Sequence, residues 1–209
     1  MVYDISRTIS PRTAVWPGDS PYSVTHTLRR DQGAPVNLTT VTLSPHTGTH
    51  ADAYYHTQDE PAYPATMPLD AYLGRARVVT VSRRDGPLIV ADIGDRALAG
   101  AERLLIHSHV SDLSDDEWAA EFPYLSVELI DACAQAGIRL IGLDSPSVDA
   151  FSSTALPCHH ALHARRMVNL ELLMLRGVPD GDYELIALPL KLDGACGSPV
   201  RAVLRPLKG

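Results

Sequence analysis

The chain has 209 residues, a formal net charge of −7 and 45% hydrophobic residues. That length suits one domain, residues 1–209, with a sizeable core. The acidic balance argues against a nucleic-acid partner, which needs a basic surface, and no apolar run reaches the roughly 18 residues that suggest a membrane span. Cys133, Cys158 and Cys196 are odd in number and far apart, so they form no disulfide framework. No basic segment followed by an apolar one opens the chain, and a cytoplasmic protein is expected.

Met1 to Ser10 reads as a first strand, broken by Pro11. Val15 to Asp19 reads as a turn. Trp16 beside it has two readings, a core plug or an aromatic wall for a flat substrate. Ser23–Leu28 and Val36–Leu43 alternate with many threonines and valines and read as strands. The second runs into Ser44–His56, a stretch with three histidines, one aspartate and a central glycine. His46, His50 and Asp52 are ligand types for zinc or manganese. Pro45, Gly48 and two threonines oppose a helix here. An extended segment puts His46, Gly48, His50, Asp52 and His56 on one parity, with Gly48 leaving room at the ion.

Leu69–Leu73 reads as a helical turn closed by Gly74, Ala76–Val81 as a strand, and Ile89–Leu98 as a helix. Arg103–Val110 reads as a strand with His107 and His109 on one face, in a structural or pocket-lining role. Asp112–Glu121 reads as a solvated loop or short helix. Ser126–Ala136 has the pattern of a helix, with Ser126 as N-cap, Gly137 at its end and Cys133 on the apolar stripe. Ile138–Leu143 reads as a buried strand leading to Asp144 and a serine-rich loop with Asp149. Then come Pro157–His163, with Cys158, His159 and His160, and twelve residues after His159 stands Glu171 in an apolar run. A buried unpaired carboxylate costs several kcal/mol, so Glu171 should pair or bind a cation. No oxyanion-rich glycine turn precedes Cys158, which argues against a nucleophile there. Tyr183–Leu190 and Val200–Leu207 read as two strands, with Gly194 and Gly197 at the turn between them.

Two ligand groups follow: His46, His50 and Asp52, and His159 with Glu171. Five donors exceed the needs of one tetrahedral ion, so a two-metal site is expected, with Asp52 and Glu171 as candidate bridges. A metal lowers the pKa of bound water to about 7, and the resulting hydroxide attacks a carbonyl while His56 shuttles a proton. The expected reaction is hydrolysis of an amide or ester-like carbonyl.

The segment HTGTHADAYYH resembles the HxGTHxDxPxH signature of the cyclase-like metal-dependent hydrolases. DISRTISPRTAVWPGD, PLDAYLGRARVV, GLDSPSVD, LPCHHALH and the closing GDYELIALPLKLDGACGSPVRAVLRPL extend the likeness nearly end to end, toward the bacterial formamidase (arylformamidase) branch. The resemblance implies an α/β fold, a swivelling β/β/α domain with a mixed sheet core and flanking helices. It also implies a homodimer or larger homo-oligomer and two Zn²⁺ per subunit, with Mn²⁺ as the alternative. It puts one ion on His46, His50 and Asp52 and the other on Asp52, His159 and Glu171, with Glu171 reaching both. His56 matches the proton donor and acceptor, and Trp16 the aromatic lining the substrate pocket. The implied substrate is N-formyl-L-kynurenine, giving L-kynurenine and formate. The alternative is a related hydrolase of a cyclic amide such as isatin, or of another N-acyl aromatic amine. Tyr54 replaces the signature's proline, and His107 and His109 stand where relatives are expected to carry arginine and threonine. The spacing to Glu171 favours His159 as the ligand, with His160 as alternative.

Overall fold

The structure is a computed structural model and describes residues 1–207. In chain order the strands are β1 (Tyr3–Asp4), β2 (Ser23–Leu28), β3 (Leu38–Thr42), β4 (His50–Asp52), β5 (Leu73–Thr80), β6 (Gly86–Leu88) and β7 (Arg103–His107). They continue with β8 (Pro123–Leu125), β9 (Leu140–Leu143), β10 (Val168–Glu171), β11 (Gly181–Ile186), β12 (Gly197–Pro199) and β13 (Val203–Pro206). The helices are α1 (Val90–Ile93), α2 (Asp95–Leu98), α3 (Val127–Gln135) and α4 (Pro157–Ala164).

Nine strands form one mixed sheet in the order β1-β13-β11-β5-β7-β9-β10-β4-β12. Its centre, β5-β7-β9-β10, is parallel, and the pairs on either side are antiparallel. The apolar runs of β7 and β9 mark strands covered on both faces. Leu104, Ile106, Ile141 and Leu143 pack beneath Leu129, Ile130 and Cys133 of α3 and Leu162 of α4. Leu105, Leu140, Val168 and Leu170 face the opposite core with Ile5, Tyr72 and Leu185. Each fully buried Leu or Ile there contributes about 1.5–3 kcal/mol. A Cβ on Gly142 would lie 2.7 Å from side-chain carbons of Leu105 and Leu173, so β9 needs glycine at that point. The sheet curls so that the chain leaving β1 meets the chain leaving β10: Ser6 bridges Leu173, and Met174 N donates to Ile5 O. The mixed α/β fold is the one expected from the sequence.

Several elements differ from expectation. The first strand is only Tyr3–Asp4, because Thr13 Oγ1 takes the Ser10 amide and donates to Thr8 O, turning the chain. Gly74 does not end a turn; it lies inside β5 at φ 123°, where a side chain would strike the Arg103 guanidinium. Gly94, at φ 81°, splits the expected helix into α1 and α2. His107 and His109 share no strand face. β7 ends at His107, and the buried Asp144 carboxylate draws the next turn in by accepting from Ser108 N, Ser108 Oγ, Ser111 N and Ser111 Oγ at 2.7–3.1 Å. At the C-terminus β11 and β13 do pair, but the connection between them is more than a turn, since β12 within it crosses to the far edge and pairs with β4. The α3 reading agrees closely: Ser126 Oγ accepts the Leu129 amide at 3.2 Å.

Candidate metal centre

Strands β4 and β10 lie antiparallel with Glu171 opposite His50, which places Asn169 opposite Asp52. Period-two alternation then puts His50, Asp52, Asn169 and Glu171 on one face. His46 reaches them from a turn, not from an extended strand, which corrects the single-parity reading. Gly48 is needed for its φ of 64°, and a Cβ there would lie 3.0 Å from Ile9 Cγ1. Its role is in the turn, not in clearing space for an ion. Thr49 Oγ1 pins the turn by donating to Leu172 O at 2.6 Å and accepting from Arg7 N at 2.9 Å.

The fourth element is α4. Pro157 opens it, and no side chain caps it locally. Asp149 caps it from the preceding loop, with Oδ1 taking the Cys158 amide at 2.9 Å and Oδ2 the His159 amide at 3.0 Å. His159 points inward, while its neighbour His160 is exposed. His163, one turn further on, bonds Thr57 Oγ1 at 2.9 Å, and burial pushes it down to about 4.

These elements bring His46, His50, Asp52, His159 and Glu171 together. Asp52 Oδ1 lies 3.0 Å from His46 Nδ1 and 3.4 Å from His50 Nε2, while Oδ2 lies 3.4 Å from His159 Nε2. Glu171 divides in the same way, with Oε2 3.4 Å from His50 Nε2 and Oε1 3.8 Å from His159 Nε2. His50 Nε2 and Asp52 Oδ1 are buried without a hydrogen-bond partner. Orphaned polar atoms cost free energy, and a cation between these donors would relieve both. The donor set is thus a fit for a metal ion. Asn169 Nδ2 donates to Asp52 Oδ2 at 2.7 Å and to Glu171 Oε1 at 3.2 Å, and Val148 N to Glu171 Oε1 at 2.9 Å. Burial opposes charge on all three histidines, yet the carboxylates outweigh it. Asp52 and Cys196 raise His46 to about 11, Asp52 and Glu171 raise His50 to about 9, and Asp149 and Asp52 raise His159 to about 10.

Above the cluster lies a cavity of about 680 Å³. His56 is exposed at its edge, its ring 4.3 Å from His46 and 5.5 Å from His159. Trp16 is not a core plug: it is 36% exposed and lines the cavity. It stands edge-on to Trp118 at 5.4 Å and tilted over Phe151 at 5.1 Å. His107 and His109 are absent from the cavity lining, so of the two roles offered for them the pocket-lining one is not seen. Cys158 is buried, its Sγ donating to Leu125 O at 3.0 Å, and burial pushes its thiol up, which suits no nucleophile. The sequence reading gave no role to Asp149, Asn169, Trp118 or Cys196. Asp149 stood in a quoted motif, GLDSPSVD, and Cys196 in the closing segment, within DGACGSPV.

Fold and donor cluster together define a metal-binding hydrolase with a large mixed sheet. The chain belongs to the cyclase family: residues 3–150 match the family described as “Putative cyclase”. It is 47% identical over 203 residues to the kynurenine formamidase of Salinibacter ruber, covering 97% of this chain and 96% of that protein. Among solved structures, a potential metal-dependent hydrolase with cyclase activity superposes with a TM-score of 0.85 at 24% identity, covering 100% of this chain and 99% of that one. Isatin hydrolase A from Ralstonia solanacearum gives 0.82 at 24% identity, covering 98% and 91%. The likeness expected from the HTGTH segment is therefore met at the level of family and fold.

Proposed function

We propose that this chain hydrolyses N-formyl-L-kynurenine to L-kynurenine and formate at a two-metal centre. The reading is supported by the formamidase relative at 47% identity. The observation that carries it is the division of two carboxylates. Asp52 and Glu171 each turn one oxygen toward His50 and the other toward His159. His46, His50, Asp52 and Glu171 would hold one ion, and Asp52, His159 and Glu171 the other. Zinc or manganese bound there would polarise the formamide carbonyl and acidify a water molecule.

The chain's own groups do the rest. Asn169 and the Val148 amide fix the carboxylates, so their oxygens need no reorganisation during reaction. Trp16 and Trp118, with Phe151 packed against both, offer an aromatic wall to the aryl ring and set the formamide over the cluster. His56 takes the proton of the attacking water and returns it to the aryl nitrogen as the carbon–nitrogen bond breaks. Formate and the free amine result.

The test is the hydrolysis rate on N-formyl-L-kynurenine and on isatin, for metal-loaded and chelator-stripped protein. Turnover of the formamide that vanishes on stripping and returns with zinc is expected. Loaded protein that opens isatin but spares the formamide would overturn the substrate. Activity indifferent to complete stripping would overturn the metal chemistry.

The assembly we propose is a homodimer or a larger homo-oligomer. The β2–β3 hairpin is exposed along its whole length, with Val24, Leu28, Leu38 and Val41 among its exposed residues. A lone two-stranded hairpin is marginal in water, so a second copy is the natural cover for it. Sedimentation analysis checks this; a monomer at all concentrations would refute it. Three unpaired cysteines support a cytoplasmic setting, and among the described residues no helix is long and apolar enough to cross a membrane.

A further inference from the structure

Each imidazole that faces the carboxylates is held from behind. His50 Nδ1 donates to Gly48 O at 2.8 Å, and His159 Nδ1 donates to Asp149 Oδ2 at 2.7 Å. Both therefore present Nε2 to the cluster. His46 is turned the other way. Its Nδ1 faces Asp52 Oδ1, and its Nε2 lies 3.1 Å from Cys196 Sγ. Outer partners of this kind decide which ring nitrogen carries the proton and which is free for a metal. For His46 a sulfur takes the place that a carbonyl and a carboxylate take for the other two.

The sulfur is well anchored. Ala53 N donates to Cys196 O at 3.0 Å, and the next residue, Gly197, pairs with Asp52 across β12 and β4. A Cβ on Gly197 would lie 2.9 Å from Ala51 O and 3.2 Å from His46 Cε1, so β12 closes directly onto the His46 ring. The strand that carries the metal donors thus also fixes the sulfur. Cys133 and Cys158 are buried in the core, whereas Cys196 is half-buried and lines the cavity. Its sulfur also neighbours His56: donor atoms of His46, His56 and Cys196 lie within 4.8 Å of one another.

Resting on the metal-centre reading above, we propose that Cys196 is a positioning residue for His46. Its sulfur accepts the Nε2–H of His46 and holds the tautomer whose Nδ1 is free for the ion shared with His50 and Asp52. It also lies beside both His46 and His56, whose rings are in contact at 4.3 Å, so the proton carrier and the metal ligand are braced by the same sulfur.

The test measures zinc stoichiometry and affinity by competition with a chromogenic chelator, in wild type, C196A and C196S. Nitrogen NMR of histidine-labelled, zinc-loaded protein reads which His46 nitrogen is protonated. Two ions per chain are expected in all three proteins. C196A should bind one of them about 10–100-fold more weakly, the range seen when outer-shell partners of metal ligands are removed. C196S should recover most of that loss, because its hydroxyl accepts the same hydrogen bond. The proton should sit on Nε2 in wild type and C196S and be shared between the two nitrogens in C196A. Unchanged affinity and tautomer in C196A would overturn the proposal and leave the metal centre standing. C196S as weak as C196A would also overturn it, since packing alone would then explain the loss. Wild type that binds no metal would overturn the metal-centre reading, and this proposal with it.

Discussion

Asp149 is bonded to His159 twice, through the backbone amide at 3.0 Å and through Nδ1 at 2.7 Å, both on Oδ2. One carboxylate thus starts α4 and aims the imidazole that α4 carries. Burial works against the Asp149 anion, but His159 and the two helix amides hold its pKa below the ordinary value. We expect D149N to keep the fold, to lose about 1 kcal/mol of capping stability, and to weaken one metal ion about 10–100-fold. The sign of the pH effect follows from the lowered pKa. The stabilisation is present above the ordinary carboxylate value of about 3.9 and fades as pH falls through the folded value. Denaturant melts of both proteins should therefore differ at neutral pH and converge in acid. Melts separated equally at all pH values would contradict this account.

How far the sequence reveals this site can be seen residue by residue. His46, His50 and Asp52 are conspicuous because ligand types crowd into one short stretch, and Glu171 because a carboxylate interrupts an apolar run. Their convergence is another matter. It depends on β10 lying beside β4, a long-range pairing that no local pattern encodes. Asn169 reads as an ordinary polar residue until that register puts it opposite Asp52. Cys196 is only one of three scattered cysteines until β12 crosses the sheet to reach His46. The parity argument failed at His46 because Gly48 takes a left-handed conformation, which periodicity does not register. The mixed fold was easier to read, since the apolar runs of β7 and β9 and the capped α3 are local signals.

Trp118 faces the cavity from a loop rich in acidic residues, and its ring supports Trp16 edge-on. Aromatic pairs of this geometry contribute about 0.5–1.5 kcal/mol beyond area burial. W118A should raise KM for N-formyl-L-kynurenine about tenfold, at the upper end of that range, and change kcat less, because the wall binds the ring in ground state and transition state alike. The comparison with a formamide lacking the aryl group is decisive. An equal loss on that substrate would show that Trp118 acts on the cluster instead of the ring.

His56 stands at the cavity edge and is not needed to hold either carboxylate. H56A should therefore keep its full metal content while kcat drops about 10²–10⁴-fold, the range for loss of a general acid–base group. Metal analysis alongside steady-state kinetics separates the two effects. Loss of an ion in step with activity would make His56 a ligand and remove it from proton transfer.

Metal uptake should be coupled to proton release. Without metal, the carboxylates raise His46 to about 11, His50 to about 9 and His159 to about 10, against the pull of burial. Asp52 lies well below its ordinary value, because the three histidines outweigh its own burial. The raised imidazoles stabilise the metal-free protein fully below their unfolded value of about 6.5, and that help is lost as pH climbs through the folded values. Asp52 adds stability above about 3.9, lost as pH falls. An ion needs the unprotonated ring nitrogen and so competes with those protons. Zinc titrated into weakly buffered metal-free protein at neutral pH should release up to three protons per chain, one from each imidazole. Zinc affinity should rise with pH, and the melting-temperature gap between loaded and stripped protein should widen from pH 6 to pH 9. Above the unfolded value of about 6.5 the stabilisation that the imidazolium pairs give the metal-free protein declines with each unit of pH, while the loaded protein has no such pairs to weaken. Zinc binding without proton release would mean that the histidines are already neutral, and the ion-paired description of the empty cluster would then be wrong.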